Sequence, residues 1–154
     1  MLYEGDFSSP AGRFAVIAAR FNDFVVDQLV GGAVDALHRH GIADDRIDLV
    51  RVPGSYEIPI VAQRLGKSGK YAAVICLGCV IRGDTDHYDY VAGAAANGIA
   101  NAALNCGVPV IFGVLTCDTL EQAINRAGAK AGNKGFEAAV CAIEMVNLMK
   151  KLPG

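Results

Sequence analysis

Three groups of residues with functional side chains each follow a short apolar run rich in β-branched residues. They are Arg20-Phe21-Asn22, Pro53-Gly54-Ser55-Tyr56-Glu57 and Ile81-Arg82-Gly83-Asp84-Thr85-Asp86-His87. A flat heterocycle could stack on the ring of Phe21, although the same ring could equally cover the core. Glu57 could accept hydrogen bonds from sugar-like hydroxyl groups, or it could be a first-turn residue favoured by the helix dipole. These groups predict a small-molecule site without fixing its ligand.

The third group suggests chemistry with anions and protons. Gly83-Asp84-Thr85 precedes a predicted helix, whose free N–H groups could bind a phosphate, although Asp84 opposes an anion unless its side chain points away. His87 suits proton transfer at neutral pH, but a first-turn histidine is also commonly structural. Asp84, Asp86 and His87 leave open a Mg2+ site or an aspartate-nucleophile phosphatase. The lack of another carboxylate cluster at the strand ends argues against that alternative.

A basic turn is predicted late in the chain, between two helices. Its cations and glycines are Arg126, Lys130, Lys134, Gly128, Gly132 and Gly135. The planar guanidinium of Arg126 can bind a phosphate through two parallel hydrogen bonds. A solvated helix connection would have the same composition, so the pattern alone leaves both interpretations open.

The elements that must position these groups alternate along the chain. Apolar runs predict strands over 13–19, 47–52, 72–77 and 108–115, and helical periodicity predicts helices over 23–40, 58–65 and 87–105 with two more after the last strand. Near-continuous apolar strands alternating with helices predict a parallel sheet covered on both faces. We therefore expect one domain, residues 1–154, with a three-layer α/β/α doubly wound fold. Ligands bind beyond the carboxyl ends of such strands, where the three groups should meet.

Local signals give the expected helix ends. Asn22 or Asp23 could cap the first helix and Gly41 could end it. Thr119 with Gln122 resembles a capping box, and Pro59 suits the first turn of the second helix.

Composition excludes several classes of function. A net charge of −2 provides no basic field for nucleic acid or anionic membranes. Residues 90–117 contain no charged side chain, yet Asn97, Asn101 and Pro109 interrupt them, so we expect an Ala-rich helix and a strand rather than a membrane span. That helix has only a narrow polar stripe, which predicts burial against another subunit.

The acidic start has no signal-peptide pattern, so we expect a cytoplasmic protein.

The cysteines are expected to be reduced and buried. Five cysteines are an odd number in a chain with ample apolar residues for a core. Cys76 and Cys79 form a C-x-x-C pattern inside an apolar run, but no second pair stands at zinc-ligand spacing. The sequence therefore predicts no metal site.

Taken together, the segments resemble the lumazine synthase family over nearly the whole chain. The matching motifs are Ala19-Arg20-Phe21-Asn22, Arg51 through Pro59, Val80-Ile81-Arg82-Gly83 with Thr85 and His87, Phe112-Gly113-Val114, and Thr119 through Gly135. Their order and spacing are more specific than any single motif. The resemblance implies a flavodoxin-like subunit, pentameric rings with active sites between neighbours, and in many members an icosahedral shell, with riboflavin synthase as a candidate partner.

The resemblance also implies residue roles. Pyrimidinedione and ribityl binding are implied for Phe21, Ser55, Tyr56, Glu57, Cys79, Val80 and Ile81 of one chain, with Phe112 and Lys134 of the neighbour. Phosphate binding is implied for Asp84 and Thr85, with Arg126 of the neighbour. Proton transfer is implied for His87, and supporting roles for Asn22, Gly83 and the neighbour's Glu137. Two positions depart from the family pattern: Tyr56 stands where relatives can carry tryptophan, and Asp84 stands where some have a small neutral residue.

The implied reaction joins two small-molecule substrates, a ribitylamino-pyrimidinedione and a four-carbon hydroxyketone phosphate, and requires no metal or redox cofactor. Two other classes stay open from the residues. A flavodoxin-like flavin carrier would use the same crevice at the strand ends, and a structural shell protein would assemble without binding either substrate.

Overall fold

Four parallel strands form the centre of the chain in the computed structural model, which describes residues 1–154. They are β1 (Arg13–Ala19), β2 (Ile47–Val52), β3 (Tyr71–Ile81) and β4 (Val110–Cys117), in the order β2-β1-β3-β4. All but two residues of β3 are buried, because helices cover both faces of this apolar strand. The predicted three-layer α/β/α fold is confirmed.

The helices divide between the two faces of the sheet. One face packs against α1 (Asp23–Arg39), α4 (Leu120–Arg126) and α5 (Lys134–Lys151), and the other against α2 (Ile58–Lys67) and α3 (His87–Cys106). Short 3-10 turns precede β2 and α2, at Asp44–Arg46 and Ser55–Glu57. No helix combines the length and apolar character needed to cross a membrane.

The third strand is longer than its apolar pattern predicted. It was expected over 72–77 but continues to Ile81, because Gly78 through Ile81 pair with β4. β1 pairs with β3 only as far as Leu77 of β3. Beyond that point the residues that follow β1 donate their backbone hydrogen bonds to the end of β2 instead. The last four residues of β3 therefore have one edge that pairs with no strand, at the point where strand order reverses and a crevice opens.

Two glycines permit close packing that a side chain would block. A methyl group at Gly78 would overlap the hydroxyl of Ser55, so this glycine lets the Ser55–Glu57 turn lie directly on β3. A methyl group at Gly135 would overlap the backbone of Leu29, where α5 crosses α1. Gly135 is buried in the first turn of α5, which begins at Lys134, so both residues belong to the helix and not to the predicted basic turn.

The helix ends agree with the sequence signals in part. Gly41 has φ +87° and Pro59 lies in the first turn of α2, both as expected. The Thr119 hydroxyl accepts a hydrogen bond from the Gln122 N–H at 3.1 Å, but the Gln122 side chain accepts from Asp118 rather than returning to Thr119. Asn22 stands at the cap position of α1 without a capping hydrogen bond, because its amide group binds elsewhere.

The cysteines are all unpaired, but they are not uniformly buried. Cys76, Cys79 and Cys117 are buried, Cys106 is half-buried and Cys141 is exposed on α5. The prediction of burial is therefore wrong for Cys141, which lies on the solvent side of an amphipathic helix.

Candidate active site

A cavity of about 560 Å³ lies in the crevice beyond the carboxyl ends of β1, β2 and β3. Its walls come from the turn after β1, the turn after β2, the end of β3 and the first turn of α3. This is the topological switch point of the sheet, because the chain passes from β1 to β2 on one side and to β3 on the other. Eight of the predicted site residues line it: Phe21, Asn22, Ser55, Tyr56, Glu57, Cys79, Val80 and Ile81. His87 is a ninth.

The turn after β1 presents an aromatic ring at the mouth of this cavity. The Arg20 N–H donates to the Val52 carbonyl at 2.8 Å, and the Phe21 N–H donates to the Pro53 carbonyl at 3.0 Å. The Phe21 side chain is 73% exposed, so it does not cover the core. Of the two roles that the sequence left open for Phe21, the geometry supports a surface on which a flat ligand can stack.

Asn22 fixes this turn through both its backbone and its side chain. It is the only non-glycine residue with positive φ (62°), in the left-handed region that asparagine tolerates better than most residues. Its side-chain amide donates to the Cys79 carbonyl at 2.8 Å, on the edge of β3 that pairs with no strand. The contact joins the ends of β1 and β3, so Asn22 holds Phe21 beside the crevice.

The turn after β2 supplies polar groups at the cavity wall. Ser55 is buried against Gly78, whereas Tyr56 is mostly exposed and Glu57 is half-buried. The Glu57 N–H donates to the Gly54 carbonyl at 3.2 Å, closing the 3-10 turn. A carboxylate at this wall can accept hydrogen bonds from ligand hydroxyl or N–H groups.

The end of β3 contributes no reactive thiolate. The Cys79 side chain packs in the core cluster beneath α1 and α5. Burial raises the pKa of its thiol to about 12, and the nearby Cys117 makes a smaller contribution in the same direction. Cys79 therefore stays protonated at neutral pH and is a poor nucleophile. No three His, Cys, Asp or Glu side chains lie close enough together to hold a metal ion. Asp84, Asp86 and His87 therefore do not form a metal-binding cluster.

The first turn of α3 adds aromatic residues that the sequence analysis did not identify. His87 is the first residue of the helix, and Tyr88, Tyr90 and Val91 line the cavity beside it. His87, Tyr90 and Val91 are spaced i, i+3 and i+4, which places them on one side of the helix. That spacing was the available signal, but it does not reveal which side faces the crevice.

The loop before α3 lies outside this cavity. Gly83, Asp84 and Thr85 are exposed and line neither the crevice cavity nor the cavities of about 470 Å³ and 360 Å³ elsewhere on the chain. The Thr85 hydroxyl accepts a hydrogen bond from the His87 N–H at 3.3 Å, so one of the free amides at this helix start is already engaged. The predicted phosphate residues thus adjoin His87 along the chain but do not enclose a site by themselves.

The remaining predicted residues line a second cavity of about 360 Å³. Phe112 and three further residues of the edge strand β4 border it, together with Arg126, Lys134 and Glu137. This cavity shares no lining residue with the first. The chain therefore presents its predicted site residues in three places: in the crevice, on the exposed loop from Gly83 to Thr85, and beside β4.

Comparisons with known proteins agree with the resemblance seen in the sequence. The family model for 6,7-dimethyl-8-ribityllumazine synthase matches residues 11–150. A protein from Desulfatibacillum aliphaticivorans named 6,7-dimethyl-8-ribityllumazine synthase is 57% identical over 150 residues, which cover 97% of both chains. The match thus includes both cavities and all the strands and helices around them except the last residue of α5. The chain belongs to the 6,7-dimethyl-8-ribityllumazine synthase family.

Proposed function

We propose that this chain condenses 5-amino-6-(D-ribitylamino)uracil with 3,4-dihydroxy-2-butanone 4-phosphate to give 6,7-dimethyl-8-ribityllumazine, phosphate and water. Family membership supports the reaction. The observation that supports its location is the crevice at the switch point, where an exposed Phe21 ring, the Glu57 carboxylate and the His87 imidazole border one cavity.

The crevice suits the flat, polyhydroxylated substrate. The pyrimidinedione would stack on Phe21, while Glu57 and the backbone groups of Cys79 to Ile81 that face the crevice would bind its polar atoms. Ser55 and Tyr56 lie at the same wall. The pyrimidinedione carries no phosphate, so its affinity should come from stacking and hydrogen bonds rather than from an ion pair with a cation.

The chemistry requires orientation and proton transfer from the protein. The substrate's 5-amino group attacks the ketone and loses water to give an imine, phosphate is eliminated, and the ribitylamino nitrogen closes the ring with loss of a second water. His87 would carry the protons that these steps release and consume, because its ring stands at the cavity and imidazole titrates near neutral pH.

The phosphate should be bound across a subunit boundary. Asp84 and Thr85 lie on the loop beside His87, whereas the cations Arg126 and Lys134 line the separate cavity beside β4. A neighbouring copy would bring its Arg126, Lys134, Phe112 and Glu137 to the crevice of the first chain. Two features of the isolated chain support this arrangement: β4 is an edge strand with no strand paired on its outer side, and α3 exposes Tyr90 and Leu104 beside small residues.

The assembly that satisfies this arrangement is a ring. Each subunit would use its crevice toward one neighbour and its β4 cavity toward the other, so the contacts are head-to-tail and close on themselves. We propose pentameric rings, and a shell of such rings is the extension that the family resemblance suggests.

The deciding experiment mixes purified protein with both substrates and follows lumazine fluorescence. We expect product only when both substrates are present. Folded protein that forms none would overturn the proposal. A flavin carrier would instead purify with close to one flavin per chain, and a structural shell protein would assemble without binding either substrate.

A further inference from the structure

The exposed side chain of Arg82 contacts residues of two other segments, the end of β4 and the first turn of α3. Arg82 is the first residue after β3, and its N–H donates to the Cys117 carbonyl at 2.8 Å, which extends the β3–β4 ladder past the strand end. Its Nε donates to Asp118 Oδ1 at 3.0 Å, and its Nη1 lies 3.7 Å from Asp89 Oδ1. The guanidinium carbon also lies 4.3 Å from the centre of the Tyr88 ring.

These contacts close the base of a loop. Gly83 through Asp86 leave the sheet at Arg82 and enter α3 at His87. Because the Arg82 side chain contacts both Tyr88 and Asp89, the residues on either side of this loop are held together. His87 lies between the loop and those two contacts, so any shift of the first turn of α3 would carry its imidazole with it.

Asp118, the carboxylate that accepts from Arg82, is itself held in place. Asp118 follows β4 directly, and its N–H donates to the Gln122 side chain at 2.8 Å, at the start of α4. α4 ends at Arg126, which lines the second cavity. Arg82 therefore joins the start of α3 to the start of α4 within one chain.

The physical chemistry favours positioning over stability as the role of this arginine. The side chains of Arg82, Asp89 and Asp118 are 48%, 63% and 66% exposed, and ion pairs between such exposed groups contribute little to folding stability. A planar guanidinium can bind one carboxylate, approach a second and stack on a ring at once, which the single ammonium group of lysine cannot do.

We propose that Arg82 is a positioning residue for the condensation: it closes the Gly83–Asp86 loop and holds His87 at the crevice through Tyr88, Asp89 and Asp118. This inference rests on the proposed function. It assigns Arg82 no contact with either substrate.

The test compares Arg82→Gln, Arg82→Lys and Asp118→Asn with the wild type in steady-state assays that vary each substrate in turn. Misplacing a catalytic group by a fraction of an ångström reduces turnover, so we expect kcat to fall by about ten- to a hundredfold in Arg82→Gln. The KM for the pyrimidinedione should stay within about twofold, because its binding groups lie on other elements. Arg82→Lys should resemble Arg82→Gln more than the wild type.

A control variant removes an arginine from another exposed ion pair, far from the crevice. Arg39 Nε donates to both oxygens of Asp35 at 3.0 Å on the far part of α1, and Arg39 lines neither the crevice cavity nor the β4 cavity. Arg39→Gln should leave kcat and both KM values unchanged. The double variant Arg82→Gln with Asp118→Asn should be no slower than Arg82→Gln alone, because both substitutions break the same contact.

The outcomes separate the hypotheses. Wild-type kcat in Arg82→Gln would overturn the positioning role, as would a loss of turnover that follows a lower thermal midpoint or a loss of oligomer. If Arg82→Gln fails to fold, Asp118→Asn decides by the same criteria. A wild-type protein that makes no lumazine would instead overturn the proposed function, and this inference with it.

Discussion

The crevice cavity and the β4 cavity differ in origin and in charge. The crevice is built from three strand ends and the start of α3, and it is lined by aromatic and apolar groups with one carboxylate and one imidazole. The β4 cavity lies along an edge strand and carries Arg126 and Lys134 beside Glu137. The first arises from the topology of any doubly wound sheet, whereas the second depends on the particular residues of α4 and α5. One is suited to a flat neutral ring, and the other to an anion.

The largest expected effect concerns His87, the proposed proton carrier of the crevice. Changing His87 to Ala should lower kcat by about ten- to ten-thousandfold while pyrimidinedione affinity stays nearly intact, because proton transfer acts mainly in the transition state. Single-turnover assays together with equilibrium titration of the pyrimidinedione measure the two quantities separately. Unchanged turnover would remove His87 from the catalytic role and reduce the crevice to a binding site.

The relation between the cavities can be tested by complementation. His87→Ala and Arg126→Ala proteins are dissociated, mixed in equal amounts and reassembled, and activity is measured with the phosphorylated substrate far below the KM of Arg126→Ala, where both parents are nearly inactive. About a quarter of the sites in random head-to-tail rings should combine an intact crevice with an intact β4 cavity, so activity should return to about a quarter of the wild-type value. Hybrid oligomers of normal size that stay as inactive as the parents would show that both residues serve the same site within one chain.

Each cavity should also discriminate between the substrates. Arg126→Ala should raise the KM of the phosphorylated substrate by about ten- to a hundredfold, the value of a charge-assisted contact, with little change for the pyrimidinedione. Phe21→Leu should do the reverse, raising the pyrimidinedione KM by about two- to tenfold through lost stacking. Initial-rate measurements with one substrate saturating resolve the two effects. Equal effects of either variant on both substrates would contradict the division of labour.

A smaller effect is expected for the residue that holds Phe21 in place. Asn22→Gly keeps the left-handed backbone but loses the hydrogen bond to Cys79, so the pyrimidinedione KM should rise by about two- to tenfold with a small change in stability. Asn22→Ala adds backbone strain and should also lower the free energy of unfolding by about 1 kcal/mol more. Urea denaturation of both variants separates strain from anchoring. A pyrimidinedione KM equal to wild type in Asn22→Gly would show that the anchor is dispensable.

The smallest effect on catalysis should come from the opposite end of the sheet, which serves neither cavity. Asp48 accepts hydrogen bonds from Tyr71 at 2.6 Å and Arg13 at 2.7 Å, and these contacts lower its carboxyl pKa from 3.8 to about 2. A lowered folded-state pKa adds stability that is present above the unfolded value and is lost as pH falls toward 2. Asp48→Asn should therefore be less stable at neutral pH and lose less stability below about pH 4, with both KM values unchanged. Urea denaturation at stepped pH measures the slope, and an equally steep acid slope in the variant would argue against this assignment.

The sequence predicted which strands and helices form better than it predicted the residues at which they begin and end. The apolar runs of β1 and β2 and the helical pattern of α1 are local, so they identified these elements to within a residue or two. The end of β3 was missed because Gly78 through Ile81 are strand residues only by virtue of pairing with β4. Such pairing joins residues that are distant in the chain, and no local pattern contains it.

The same limit applies to the site. Phe21, Glu57 and His87 were predicted to share one edge of the sheet because parallel strands end together, and they do line one cavity. Tyr88 and Tyr90 were not identified, because the side of α3 that faces the crevice depends on how α3 packs against α2 and β4. The role of Asn22 was predicted as a helix cap, yet its amide binds across the sheet to Cys79.

The absence of any shared lining residue between the two cavities has a consequence for counting active centres. If each centre needs the crevice of one copy and the β4 cavity of the next, an isolated chain has none, and an open row of copies has one fewer than its number of chains. Closing the row into a ring converts its two idle ends into one further working centre. Specific activity per chain should then rise with assembly length and reach its maximum only at closure, so a covalent tandem of two copies, held as a monomeric unit, should carry a single centre.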